Sequence, residues 1–101
     1  MGIFSKLFGK SVDLKELAKG GVILDVRSPG EYKQGHIKGS VNAPLNELNK
    51  HLSKLKNKDQ AIITCCASGM RSASAKAQLK SQGFTNVHNG GGWMSLKNKL
   101  A

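Results

Sequence analysis

The spacing of apolar positions changes several times along the chain, and each change marks an element. Ile3, Phe4, Leu7 and Phe8 fall at helical spacing, so residues 1–10 read as a short amphipathic lead-in that packs on the domain. Asp13 is placed to cap a helix, with Glu16 three residues later as its capping-box partner. Leu14 and Leu17 would face inward, and Gly20-Gly21 would end the helix. Val22-Ile23-Leu24-Asp25-Val26 is a nearly continuous apolar run, the pattern of a strand buried on both faces. Ser28-Pro29-Gly30 breaks it, and residues 31–34 form a helical turn. Residues 40–43 read as a short strand stopped by Pro44. Leu45, Leu48, Leu52 and Leu55 make a helical stripe with Lys50, Lys54 and Lys56 off it. Residues 61–65 predict a third strand, 71–82 an Ala-rich helix stopped at Gly83, 84–87 a further strand and 93–100 a closing helix. Short strands alternating with helices predict an α/β fold with a parallel sheet covered on both faces.

Length and charge refine this picture. A chain of 101 residues holds one compact domain and one modest core. Sixteen Lys and Arg face six Asp and Glu, and only Arg27 and Arg71 among the cations are Arg. Lys suits solvent, whereas Arg grips planar anions and carboxylates. The excess is read first as a solvated cationic surface, and second as a means of steering small anions or acidic partners. Nucleic acid is not expected, because no recognised motif is present and only five aromatics are available to stack bases. Stable membrane insertion is not expected either, since no apolar run approaches the ~18–20 residues of a span. The first ten residues lack the long apolar stretch and small-residue cleavage site of a signal peptide. Lys6 stands where a myristoylation pattern wants Ser or Thr.

The two cysteines, Cys65 and Cys66, are neighbours. Their Cα atoms are held about 3.8 Å apart by the peptide, less than the ~4.4 Å lower bound of ordinary disulfides. Free thiols of this kind fit a reducing, cytoplasmic setting. No second Cys or His pair stands at zinc-ligand spacing, so a metal site is not expected.

The chemistry concentrates where the third strand turns into the long helix. The segment is Cys66-Ala67-Ser68-Gly69-Met70-Arg71-Ser72. Backbone N–H groups at a helix start point outward and cradle anions. A Cys placed there has its thiolate stabilised and its nucleophilicity raised. Ala67 and Ser68 leave room around the sulfur, Gly69 permits a tight turn, and Arg71 adds a fixed positive charge. Asp25 closes an apolar strand and needs a partner, for which Arg71 and Arg27 are both candidates. It reads either as an organiser of the loop, with Arg27 near the pocket mouth, or as half of a structural ion pair away from it. His36 and Glu31 read as structural, His51 and His88 carry no signal, and Trp93 reads as core.

The loop resembles the C-x-x-G-x-R-S active-site loop of rhodanese-like domains. Leu24-Asp25-Val26-Arg27-Ser28-Pro29-Gly30-Glu31-Tyr32 resembles the family's L-D-V-R-x-x-x-E-[YF] segment, and residues 35–44 resemble its G-H-I-x-G-A-x-N-[IL]-P segment. Gly83-Phe84, Val87 and Gly90-Gly91-Gly92-Trp93 resemble its closing region, with Trp93 early. The resemblance implies a single rhodanese-type α/β domain over residues 11–101, with a five-stranded, mostly parallel sheet. It implies a sulfurtransferase that takes a sulfane sulfur onto Cys66 as a persulfide and passes it to a thiophilic acceptor. The donor would be a small sulfur anion or persulfide, and the acceptor a thiol or protein. The amides of Ala67, Ser68, Gly69, Met70 and Arg71 would hold the sulfur, and no metal or organic cofactor is implied.

Two other readings stay open. Counted from Cys65, the loop has the Cys-x5-Arg spacing of phosphatases and arsenate reductases that share this fold. Period-2 alternation sends Cys65 and Cys66 to opposite faces, so only one faces the cradle, and Cys-x-x-Gly matches Cys66. The third reading is a sulfur carrier or interaction module with little small-molecule turnover. Neutral Ala67 and Ser68 leave the choice between thiosulfate and a persulfide donor open.

Overall fold

The computed structural model describes residues 13–101. The amphipathic lead-in expected over residues 1–10, and the first two residues of the expected domain, lie outside this range. Helix α1 (Leu14–Gly20) opens the described chain, with the Asp13 carboxylate accepting the Glu16 amide at 3.2 Å. Only half of the expected capping box forms, because the Glu16 side chain takes the Lys19 ammonium at 2.9 Å. Strand β1 (Val22–Asp25) follows, then α2 (Pro29–Gln34), the short β2 (Val41–Asn42), a 3-10 turn (Leu45–Glu47) and α3 (Leu48–Leu52). Strand β3 (Ile62–Cys66), helix α4 (Met70–Ser81), strand β4 (Val87–Gly92) and helix α5 (Trp93–Leu100) complete the order.

The strands pair in the order β2-β1-β3-β4, every pair parallel. The described sheet therefore has four strands where five were expected. Residues 13–101 contain four extended stretches, and each remaining segment is helix, turn or loop. β3 is buried along its whole length, and alternation divides its side chains between two layers. Ile62 and Cys66 join Leu24, Val26, Leu48, Ala75, Leu79, Phe84 and Val87 on the side of α3 and α4. Ile63 and Cys65 join Ile37 and Leu96 on the side of α1 and α5. The leucine stripe packs as read, with Leu45, Leu52 and Leu55 against the first layer beside buried Leu48. The single helix expected over it is instead a 3-10 turn followed by the five-residue α3, and Leu55 lies beyond both.

The last strand differs from expectation. It runs over Val87–Gly92, not over residues 84–87. The preceding residues are used to stop α4: the Gly83 amide donates to the Lys80 carbonyl and the Phe84 amide to the Leu79 carbonyl, both at 3.1 Å. Gly83 has φ +97° there, which closes a Schellman motif. The glycines of β4 are in the sheet because bulk is excluded. A Cβ on Gly90 would lie 2.8 Å from Ile63 Cγ2, 2.8 Å from Leu96 Cδ2 and 2.9 Å from the Thr64 carbonyl.

Gly90→Ala is expected to destabilise the fold by about 1–3 kcal/mol through overpacking. Urea unfolding should show a lower midpoint at an unchanged m value. A midpoint equal to that of the wild type would mean the β3–β4–α5 contact is looser than described.

Candidate active site

The site is built where β3 ends and α4 begins. Gly69, with φ +105°, turns the chain between them and stands at the N-cap position of α4. An N-cap side chain ordinarily accepts the N–H of the third helical residue. Gly69 has none to offer, and Cys66 fills the role from the end of the strand. Its Sγ accepts the Ser72 amide at 3.3 Å and the Gly69 amide at 2.9 Å. The Ser72 hydroxyl lies 3.6 Å from the same sulfur.

These donors decide the ionisation of Cys66. Burial pushes the thiol up, but the Ser72 hydroxyl and the Ser72, Gly69 and Ser68 amides outweigh it, and the net shift is downward. Its neighbour is the reverse case. Burial, with the Asp25 carboxylate adding to it, pushes Cys65 up to about 12, against a smaller pull from Arg27. Adjacent thiols thus differ because the strand turns one to a set of donors and the other into an apolar layer. Both are free and buried, and Cys66 is only 1% exposed.

The loop itself is held from behind by β4. A Cβ on Gly69 would come within 3.4 Å of Gly91 Cα, and one on Gly92 within 3.0 Å of the Ala67 carbonyl. Thr64 Oγ1 donates to the Ser72 carbonyl at 2.9 Å, joining the first turn of α4 to the strand below. Ala67, Ser68 and Met70 line the outer side of the turn, with Met70 at 79% exposure on its lip.

The two arginines take different places. Arg71 faces Glu31 on α2 in a two-point pair, Nη1 to Oε1 at 2.8 Å and Nη2 to Oε2 at 3.0 Å. That pair holds the Glu31 carboxyl at about 2, with the Ser28 amide helping. Glu31 is also the N3 residue of a full capping box with Ser28, the helix-start role expected of it. Arg71 borders a cavity of about 380 Å³ beside the loop, with Val26, Ser28, Pro44, Leu45, Asn46 and Gln78.

Arg27, not Arg71, is the partner of Asp25. Its Nη2 donates to Asp25 Oδ2 at 2.7 Å and its Nε to Oδ1 at 2.9 Å, and both residues are buried. The same guanidinium donates to the Gly35 carbonyl at 2.7 Å and stacks 4.6 Å above the Trp93 ring. Among the described residues, Asp25 makes no hydrogen bond to the 67–71 loop. Arg27 does reach the site's edge, lining a cavity of about 310 Å³ with Ala67, Glu31, Gln34, Gly35 and Trp93. His36 stacks on Tyr32 at 3.7 Å, a structural placement. His51 and His88 lie away from the sulfur, on α3 and β4.

The structure brings Cys66, Gly69 and the start of α4 together as expected. The residues that sequence reasoning leaves out of the site are Ser72, Glu31 and Asn89. Ser72 is the last residue of the motif and the third of the helix, which is a usable signal. Asn89 Oδ1 lies 2.5 Å from Ser72 Oγ, and a lone Asn in a strand gives no such signal. No group of three or more His, Cys, Asp or Glu capable of holding a metal occurs among the described residues. No helix among them is long and apolar enough to cross a membrane.

Comparison with known proteins agrees with this architecture. A family model described as rhodanese-like domain matches residues 11–99. Thiosulfate sulfurtransferase PspE of Escherichia coli is 36% identical over 70 residues, covering 68% of this chain and 67% of that protein. The putative sulfur carrier protein YrkF of Bacillus subtilis is 45% identical over 67 residues, covering 66% of this chain but 36% of its own length. Among solved structures, a rhodanese with anions from E. coli superposes with a TM-score of 0.70 at 33% identity, covering 74% of this chain and 89% of that one.

The displaced value for Cys65 generates a pH prediction. Because its folded value lies above the ordinary 9.0, the buried neutral thiol contributes stability that is fully present below about 9 and is lost as pH rises toward about 12. Denaturant unfolding from pH 8 to 11 should therefore fall more steeply for the wild type than for Cys65→Ala. Parallel curves would show that Cys65 ionises as freely in the fold as in the unfolded chain.

Proposed function

The chain belongs to the rhodanese-like domain family, and from that premise we propose that it is a sulfurtransferase working through Cys66. The observation that carries the reading is the convergence of the Gly69 and Ser72 amides on Cys66 Sγ at 2.9 and 3.3 Å. Such a sulfur ionises more readily than an ordinary thiol, and its thiolate is a competent nucleophile. The Cys66 thiolate attacks the sulfane sulfur of a donor. The donor's sulfur bond breaks, its remainder leaves with the electron pair, and the sulfur stays on Cys66 as a persulfide anion. An acceptor thiolate then attacks the outer sulfur, forms the acceptor persulfide and returns Cys66 as thiolate. No metal, oxidant or organic cofactor enters this balance.

Ala67, Ser68, Gly69 and Met70 form the wall that the incoming sulfur meets, and the amides behind them stabilise its charge. Arg71 borders the site with its guanidinium turned to Glu31, so its role is to fix α2 against the loop and to add a partly neutralised field. Arg27 and Asp25 support the neighbouring wall. The relatives named thiosulfate sulfurtransferase and sulfur carrier support a sulfur-handling role. Donor and acceptor are proposed by class only, a small sulfur anion or persulfide and a thiol or protein thiol, acting in a reducing, cytoplasmic setting. The phosphatase register from Cys65 draws no support from the geometry, since that thiol faces Ile37, Ile63 and Leu96.

Intact-mass measurement after incubation with thiosulfate or glutathione persulfide tests the proposal. The wild type and Cys65→Ser are expected to gain one sulfur atom, and Cys66→Ser none. Uptake that survives Cys66→Ser, or no uptake from either donor, would overturn it and direct assays to phosphate-ester hydrolysis and arsenate reduction. Glu31→Gln, which releases Arg71 from its partner, is expected to raise the rate of uptake from dianionic thiosulfate severalfold relative to a persulfide donor. An unchanged donor ratio would show that the pair does not shape the field at the sulfur.

A further inference from the structure

The Ser72 hydroxyl has one proton and more than one acceptor within reach. Asn89 Oδ1 lies 2.5 Å away, the Gly69 carbonyl 2.9 Å away and Cys66 Sγ 3.6 Å away. The Gly69 carbonyl already accepts the first bond of α4, from the Ala73 amide at 3.1 Å. Asn89 is therefore the main oxygen competing with the sulfur. Its orientation is fixed, because the Gly91 amide donates to Oδ1 at 2.9 Å and Nδ2 faces the Gly69 carbonyl at 3.4 Å. The amide oxygen, not the nitrogen, must then face Ser72.

We propose that Asn89 is a positioning residue that governs Cys66 through the Ser72 hydroxyl, holding its proton while the sulfur is protonated and yielding it when the sulfur carries charge. With a neutral thiol, Ser72 donates to Asn89 and its oxygen lone pairs face the S–H. With a thiolate, the hydroxyl turns its proton to Sγ, and the Asn89 oxygen keeps the Gly91 amide. Ionisation breaks only the S–H bond and gives its proton to water; around the sulfur one hydrogen bond is exchanged for another. The thiolate gains a charge-assisted bond at the cost of a strong neutral one, so Asn89 restrains the ionisation that Ser72 promotes. The arrangement keeps the sulfur from being permanently charged and raises its reactivity only as far as the exchange allows.

Other charged or titratable groups stand on the elements packed around the sulfur. They are Cys65 on β3, Arg71 on α4 with Glu31 on α2, the Asp25–Arg27 pair at the end of β1, Lys76 on α4 and His88 on β4. Among the described residues none of them makes a hydrogen bond to Sγ, and neither Asn89→Ala nor Ser72→Ala removes any of them. The proposal takes Cys66 as the reactive sulfur but does not need sulfur transfer to be tested.

The test is the pH profile of Cys66 alkylation by iodoacetamide, with the adduct assigned by tandem mass spectrometry. Ser72→Ala is expected to raise the apparent pKa of Cys66 by about one pH unit, the loss of one hydrogen bond to a charged group. Asn89→Ala is expected to lower it, and to do nothing in the Ser72→Ala background. The double-mutant comparison is decisive, because a residue acting through Ser72 has no effect without it. If Asn89→Ala fails to fold, Asn89→Asp, which keeps an oxygen for the Gly91 amide, is expected to raise the value more with Ser72 present than in the Ser72→Ala background. Equal shifts in both backgrounds, no shift with Ser72 present, or an upward shift for Asn89→Ala would overturn the proposal. A wild type that alkylates as described but takes up no sulfur would instead fail the sulfurtransferase reading and leave this one standing.

Discussion

A carboxylate removed from water stands at the end of β1, and much of the surrounding architecture is arranged to make that tolerable. Asp25 is fully buried, and an unpaired charge there would cost several kcal/mol. Arg27 meets it from two residues on, on the same side of the chain. The remaining donor capacity of that guanidinium then ties down the Gly35 carbonyl after α2, and its face covers Trp93 at the start of α5. The Asp25 carbonyl meanwhile accepts the Ala43 amide and the Asn42 side chain, which docks the short β2. The buried ion pair thus fixes where α2 and α5 sit, and the backbone of the same aspartate fixes β2. The second arginine continues the sequence of contacts: Glu31, positioned by α2, takes Arg71 and locks that helix to the first turn of α4.

The loop that carries the sulfur inherits its shape from this frame and from the absence of side chains behind it. Gly90 and Gly92 let the β4 backbone approach β3, α5 and the 67–69 turn more closely than a Cβ would permit. The first turn of α4 is thereby pressed onto the end of β3, and its free amides have a sulfur where a capping oxygen usually stands. Packing, not an added charged residue, is what turns an ordinary strand-to-helix connection into an anion-holding one.

Much of this is legible in the sequence. The apolar runs mark β1 and β3, the Gly83 stop marks the end of α4, and alternation separates Cys65 from Cys66. Alternation also holds the answer to the partner of Asp25, since Asp25 and Arg27 stand two residues apart and face the same side. What stays hidden depends on distance in the chain. Glu31 and Arg71 are 40 residues apart, and nothing local distinguishes them from a capping residue and a loop cation. The position of β4 is misread because Phe84 and Val87 look more strand-like than a run of glycines. Strand propensity reports how side chains pack, and at Gly90 and Gly92 the tertiary structure requires that there be none. Asn89 falls in the same blind spot, as its meaning comes only from the helix across from it.

A sulfur that is 1% exposed is a sulfur behind a door. Whatever reacts with it reacts with the fraction of molecules in which its cover has moved aside, so the observed rate is an opening equilibrium multiplied by an intrinsic rate. Each 1.4 kcal/mol of opening free energy slows every reagent about tenfold, bulk oxidants included. A molecule that binds the open form would escape part of that penalty, whereas one indifferent to it would not. Selectivity at such a centre is then a matter of who can lift the latch.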